Sequence, residues 1–114
     1  MSVVNVDKNT IETEISKEVS TTVLFVNEAK SSSQKMLVEF KKAAEATGDK
    51  VVFLKKNFEE GGAIEEQYGI QSAPTTLFLG LGRKLGDLVG YSLYLEPNGT
   101  DGVFKRKIKE LFDV

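Results

Sequence analysis

Apolar segments alternate with amphipathic helical patterns over residues 3–70, and this alternation constrains the fold more than any other feature of the chain. Residues 23–26 and 51–54 are apolar throughout, which is typical of central strands covered on both faces. Between them lies a helical stripe that Gly48 ends, consisting of Met36, Leu37, Phe40, Ala43, Ala44 and Thr47. The order strand, helix, strand, helix, strand, helix predicts an α/β domain with parallel strands at its centre.

Shorter signals place the remaining elements. Asn9 and Glu12 have the spacing of a capping box and predict the start of a first helix. A proline opens a fourth strand at residues 73–79, where its missing N–H does least harm. Glycines then predict a connection to an antiparallel edge strand at residues 88–91, namely Gly80, Gly82 and Gly86. A closing helix is predicted from the apolar stripe Phe104, Ile108, Leu111 and Phe112, and a solvated face from Glu59, Glu60, Glu65 and Glu66.

The composition excludes several classes of chemistry. The chain of 114 residues fits a single domain, residues 1–114, with one core. It contains no Cys and no His, so its side chains offer no thiol nucleophile, no imidazole base and no ordinary zinc site, and we expect neither cofactor nor metal. The net charge of −2 argues against nucleic acid as the main partner. No run approaches the roughly 18 apolar residues of a membrane span, so no membrane partner is expected.

A serine-rich elbow between the second strand and the second helix is the first candidate site. Ser31, Ser32, Ser33 and Gln34 lie where unpaired helix N–H groups and the positive end of the helix dipole attract anions. Serine is also among the best N-cap residues. The elbow therefore predicts either a cap for the helix or a site for an anion or a peptide carboxylate.

Residues 22–91 resemble the thioredoxin fold without a gap. The specific part of the match is Tyr-Gly-Ile at residues 68–70 followed by Ala-Pro-Thr at residues 73–75, where thioredoxins have their cis-proline and threonine. Lys55 and Asn57 after the third strand fit the same register, as does Gly90 at the end of the fifth. The resemblance implies a thioredoxin fold, with a central mixed sheet of about five strands flanked by four helices.

In that register the groups that carry thiol chemistry are missing. Ser31 and Gln34 occupy the two cysteine positions of the Cys-Gly-Pro-Cys motif. Lys30 stands where the family has tryptophan, and Phe25 stands where it has a buried acid. We therefore identify the chain as a redox-inactive relative of natural origin and expect that it is not an enzyme.

Residues 38–53 are similar to the second helix and third strand of the non-catalytic domains of protein disulfide isomerases, whereas the retained Pro74 and Thr75 point to the thioredoxin-type domains instead. The non-catalytic domains bind polypeptide without thiol exchange, so the resemblance implies a binding or chaperone-like role. It also implies the lumen of the endoplasmic reticulum if the chain is part of such a protein, and the cytoplasm otherwise. The sequence leaves the partner's identity and the oligomeric state open.

The resemblance places a binding surface at one end of the sheet. In this fold the residue before the cis-proline, here Ala73, offers its backbone N–H and C=O to an extended peptide, and a purely architectural Pro74 is the alternative. The partner implied is an extended polypeptide or a protein. The predicted surface consists of Ser31, Ser32, Ser33, Gln34, Ala73, Pro74, Gly90 and Tyr91. A rival hypothesis is an enzyme that holds glutathione or another anion at the serine cluster.

Overall fold

The computed structural model describes residues 3–15, 20–81, 83–90 and 110–112. Its strands are β1 (Val4–Val6), β2 (Thr21–Val26), β3 (Val52–Asn57), β4 (Thr75–Gly80) and β5 (Arg83–Val89). Its helices are α1 (Ile11–Ile15), α2 (Ser31–Thr47) and α3 (Ala63–Tyr68), with a 3₁₀ turn at Gly48–Lys50 and a further helical segment at residues 110–112. None of these described helices is long and apolar enough to cross a membrane.

The five strands form one mixed sheet in the order β1-β3-β2-β4-β5, which confirms the predicted α/β class. β3 runs parallel to both β1 and β2, whereas β4 runs antiparallel to β2 and to β5. At the end of β2, Phe25 pairs with Thr75 at the beginning of β4. The loop before β4 therefore lies beside the elbow that follows β2.

Both faces of β2 are covered, as its uninterrupted apolar sequence predicts, and all six of its residues are buried. One face packs against α2 through a cluster that includes Leu24, Val26, Met36, Phe40, Phe53 and Phe78. The other face packs against α1 and α3 through a cluster that includes Ile11, Ile15, Val23, Phe25, Leu54 and Ile64. Leu111 and Phe112 pack on the first cluster, as expected for part of a closing helix.

The predicted stripe of α2 faces the core, and Gly48 ends the helix as expected. Gly48 has a positive φ of 73° and donates its N–H to the carbonyl of Ala44, which satisfies one of the last helical acceptors. A residue with a Cβ is disfavoured at this φ, so the glycine sets the helix boundary.

The start of α1 differs from the prediction, because Asp7 rather than Asn9 caps it. Asp7 Oδ1 accepts the N–H groups of Asn9 at 2.8 Å and Thr10 at 3.0 Å, and Thr10 Oγ1 accepts the Asp7 N–H at 3.0 Å in return. These bonds make a reciprocal capping arrangement two residues earlier than expected. The bond from Asn9, followed by those from Thr10, lowers the pKa of the Asp7 carboxyl below its usual value.

β5 is also longer than predicted. It begins at Arg83, so Gly86 lies within the strand opposite Phe78 instead of in the connection, and an irregularity in pairing falls between Phe78 and Leu79. The polar residues that open β5 are exposed, which explains why an apolar pattern did not reveal them. The predicted Tyr91 at the strand's end, and Phe104 and Ile108 of the closing helix, lie outside the described residues.

Candidate functional site

The elbow between β2 and α2 is organised by Asn27. Its carbonyl accepts the Lys30 N–H at 2.9 Å, and its side-chain Oδ1 accepts the Ala29 N–H at 3.1 Å. Lys30 then occupies the N-cap position of α2 in an extended conformation, with no side-chain hydrogen bond to the helix. The chain therefore turns through one short segment and presents its first helical residue, Ser31, to solvent.

The three serines have different environments, and none of them is the N-cap. Ser31 is exposed and Ser32 is half-buried, whereas Ser33 is only 1% exposed. The hydroxyl of Ser33 accepts the Asn27 N–H at 3.0 Å, so it holds the elbow against the helix. The capping interpretation is thus wrong for these residues, and Ser33 has a structural partner already.

Gln34 is exposed, and its side chain also braces the elbow. Its Nε2 donates to the carbonyl of Glu28 at 2.7 Å. The Glu28 carboxylate in turn lies 2.8 Å from the Lys55 ammonium. The hydrogen bond from Lys55, together with its charge, lowers the pKa of Glu28. Gln34 and Lys55 therefore fix both the backbone and the side chain of Glu28.

The second part of the predicted surface is the loop before β4. The peptide bond between Ala73 and Pro74 is cis, and both residues are buried. Thr75 Oγ1 donates to the carbonyl of Ser72 at 2.8 Å and closes the loop. Gly90, which has a positive φ of 78°, donates its N–H to the carbonyl of Pro74 at 2.7 Å. The loop and the end of β5 are thus directly joined.

A side chain that the sequence analysis did not select joins the elbow to this loop. Lys30 Nζ donates to the carbonyl of Ala73 at 3.4 Å, a contact between residues 43 positions apart. The structure therefore brings the elbow, the Ala73 and Pro74 loop and Gly90 to one end of the sheet. Of the predicted surface, Tyr91 falls outside the described part of the chain. The only sequence signal for Lys30 was its place at the position of the family's tryptophan.

A shallow depression lies beside the elbow on the outer face of α2. It has a volume of about 280 Å³ and is lined by Glu28, Gln34, Leu37, Val38, Lys41 and Lys55. Val38 is 53% exposed, so an apolar contact is available next to the polar groups of the elbow. Apolar area bordered by polar side chains is typical of protein–protein interfaces.

A buried ion pair lies near Phe25, the residue at the position of the family's buried acid. Phe25 fills that position, and the Lys56 ammonium is 5.8 Å from the centroid of its ring. Lys56 bonds to the carboxylate of Glu65, which also accepts the Glu59 N–H at 3.0 Å. Glu65 was predicted on a solvated face, and the structure corrects this because the α3 position of Glu65 faces the sheet while Glu66 is exposed.

Metal chemistry has no support in the part of the chain that the structure describes. Those residues contain no cluster of three or more side chains from His, Cys, Asp and Glu that could hold an ion.

Comparison with known proteins supports the resemblance seen in the sequence. A family model described as thioredoxin matches residues 2–94. The thioredoxin NaTrxh from Nicotiana alata has a similar structure, with 21% identity, a TM-score of 0.76 and coverage of 97% of this chain and 93% of that one. Thioredoxin f from spinach chloroplast, in its short form, has 19% identity and a TM-score of 0.75, with coverage of 92% and 89%. No curated protein matches the chain.

These comparisons confirm the thioredoxin fold and correct one prediction. The expectation that the chain is not an enzyme is wrong as a classification, because the solved structures that it resembles are thioredoxins, which are redox enzymes. The sequence nevertheless contains no cysteine. Any function of the elbow must therefore use groups other than a thiol of this chain.

Proposed function

The chain belongs to the thioredoxin family, and from this premise we propose that it is a polypeptide-binding or scaffolding module without a thiol of its own. The docked segment is an extended stretch of a partner protein, which lies against the Ala73 and Pro74 loop and the start of α2. The similarity of residues 38–53 to the non-catalytic domains of protein disulfide isomerases supports the same role.

The observation that carries this proposal is the state of the Ala73 backbone. Ala73 precedes β4, so its peptide groups lie outside the ladders of the sheet. Among the described residues, its N–H donates to no acceptor, and its carbonyl receives only the long bond from Lys30. Unpaired backbone groups at the end of a sheet are what an extended peptide pairs with when it adds as a strand.

Strand addition would require a small rearrangement at the loop. Ala73 is 7% exposed, with the Lys30 ammonium on its carbonyl. The bond length of 3.4 Å is beyond the usual range of about 2.7–3.2 Å for a good N–H to O bond, so displacing the ammonium costs little. The main-chain N–H of a peptide would replace it on the same carbonyl.

Nuclear magnetic resonance tests this proposal with a defined probe. The probe is an acetylated and amidated nonapeptide of alternating valine and threonine, added to the full chain labelled with nitrogen-15. We expect the amide signals of Ser31, Gln34, Ala73 and Thr75 to shift. Shifts at Ser31 and Ser32 with reduced glutathione, and none with the peptide, would favour the rival anion-binding enzyme instead.

A spin label locates the probe independently of the shifts. Because the chain has no cysteine, Ser31→Cys and Ala46→Cys each create one thiol for a nitroxide. The two positions lie about 22 Å apart along α2 at a rise of about 1.5 Å per residue. Peptide signals should broaden strongly with the label at Ser31 and far less with the label at Ala46. Equal broadening would contradict docking at this end of the sheet.

A further inference from the structure

Lys30 is a cation that lies at the proposed docking edge without a carboxylate. Among the described residues, the hydrogen-bond partner of its Nζ is the neutral carbonyl of Ala73. In the described part of the chain it forms no ion pair, and the first turn of α2 contains no acidic residue. Lys30 is exposed, so no burial holds it in place.

The other charged groups near Lys30 also leave an excess of positive charge. Lys35, on the next turn of α2, is exposed and also forms no ion pair with a described residue. The carboxylate on the elbow, Glu28, is held at 2.8 Å by Lys55. Among the described residues, this end of α2 therefore carries unneutralised positive charge, although the whole chain has a net charge of −2.

We propose that Lys30 recognises an acidic side chain in the docked polypeptide. This inference rests on the proposed function and specifies its ligand. When a segment pairs with the Ala73 carbonyl, its N–H competes with the Lys30 ammonium for that oxygen, and the 3.4 Å bond from Lys30 is the weaker of the two. A glutamate or aspartate in the segment gives it a charge-assisted hydrogen bond, which is shorter and stronger than the bond that it gives up.

The same exchange predicts which ligands bind poorly. A neutral segment displaces the ammonium from Ala73 without offering it a new partner, so it gains only the backbone bonds. A segment with lysine at that position places two like charges together. Selectivity should therefore follow the charge of one ligand residue, and salt should weaken it because the pair is exposed.

Three matched probes test the inference on the full chain. They are the acetylated, amidated valine and threonine nonapeptide with glutamate, glutamine or lysine at its central position. Dissociation constants come from the amide shifts of Ala73 and Thr75. At low ionic strength we expect the glutamate probe to bind about fivefold tighter than the glutamine probe, as for an exposed ion pair, and the lysine probe to bind weakest.

Variants at Lys30 assign the preference to this side chain. Lys30→Gln should abolish the difference in affinity between the glutamate and glutamine probes, and Lys30→Arg should retain it. Lys30→Glu should reverse the order of affinities, so that the lysine probe binds tightest and the glutamate probe weakest. Lys50→Gln is the matched control, since it removes an exposed positive charge from the turn after α2, at the far end of the helix, and should keep the preference. Because Lys30 and Lys50 are both exposed, all these variants should fold normally.

The outcomes separate this inference from the proposed function. Equal affinity of the wild-type chain for the three probes, or a glutamate preference that survives Lys30→Gln, would overturn the role of Lys30 while leaving docking intact. If none of the probes moved the signals of Ala73 and Thr75, the docking proposal itself would fail, and the inference with it.

Discussion

The ammonium nitrogen of Lys56 lies 2.5 Å from Glu65 Oε2, with both side chains almost completely buried at 1% and 2% exposure. The pair ties β3 to α3. Burying two charges costs several kcal/mol, and their mutual attraction offsets that cost only while both partners are present. The two residues should therefore behave as one unit in stability measurements.

Removing one partner should be much more damaging than removing both. Lys56→Met or Glu65→Leu alone should lower the free energy of unfolding by about 3–5 kcal/mol, because each leaves a buried charge without its close partner, and the half-exposed Glu59 carboxylate, 3.6 Å from Lys56 Nζ, replaces Glu65 only weakly. The double variant should lose far less than the sum. Urea denaturation of the two single variants and the double variant measures the coupling directly.

A surface pair provides the control for that measurement. Lys84 and Asp87 are 2.9 Å apart but 36% and 32% exposed. Asp87→Leu should therefore cost less than about 1 kcal/mol. Additive losses at Lys56 and Glu65, or losses as small as that of Asp87→Leu, would show that the buried pair does not act as a unit.

Two buried hydroxyls should be replaceable with a gain in stability. Thr22 Oγ1 and Thr76 Oγ1 have no hydrogen-bond partner among the described residues, and both side chains are 1% exposed or less. Valine has nearly the same shape without the unsatisfied oxygen. Thr22→Val and Thr76→Val should each raise the free energy of unfolding by about 1 kcal/mol. Thermal or urea unfolding checks this, and a loss on substitution would reveal a partner for the hydroxyl.

A cysteine placed at the first residue of α2 should have an acidic thiol. The helix N-terminus and the neighbouring Lys30 ammonium both favour the thiolate, so the thiol of Ser31→Cys should have a pKa at least about one unit below the usual 8.5. Ala46→Cys, in the last turn of the same helix, should not show this lowering. The pH dependence of alkylation by iodoacetamide gives both values. Identical profiles would mean that the elbow does not favour an anion.

The Asp7 cap should make stability depend on pH in one direction. Its pKa is lowered in the folded state, chiefly by the N–H of Asn9. The charged form thus contributes stability above its unfolded pKa, and that contribution is lost as the pH falls through the lowered folded value. The difference in urea midpoint between wild type and Asp7→Asn should be constant from about pH 5 to 7. Below about pH 4 the wild-type midpoint should fall relative to that of the variant. A difference independent of pH would contradict the role of the carboxylate charge.

The fold could be predicted because its signals are local. The continuous apolar run of β2 requires cover on both faces, and Gly48 supplies the backbone conformation that ends α2. The cap of α1 was misplaced for an equally local reason, since Asp7 with Thr10 has the same three-residue spacing as Asn9 with Glu12. Spacing alone does not distinguish the two pairs.

The candidate site was harder to predict because it depends on contacts between residues that are distant in the sequence. The proximity of the elbow to Ala73 followed from the resemblance to a known fold and from no pattern in the residues themselves. Glu65 adjoins Glu66, and a turn of about 100° per residue buries one and exposes the other. Lys30 was named only for the tryptophan that it replaces, because its acceptor on Ala73 is 43 residues away.

The antiparallel placement of β4 against β2 has a consequence for biosynthesis. The two halves of the proposed docking face are separated in the sequence by the remainder of α2 and by β3 and α3. When only the elbow of a nascent chain has left the ribosome, the loop before β4 has not yet emerged, so the face is incomplete. If the chain docks a partner as proposed, recognition would begin only after β4 has left the ribosome and paired, and an immature chain would not compete with the mature protein for its ligands.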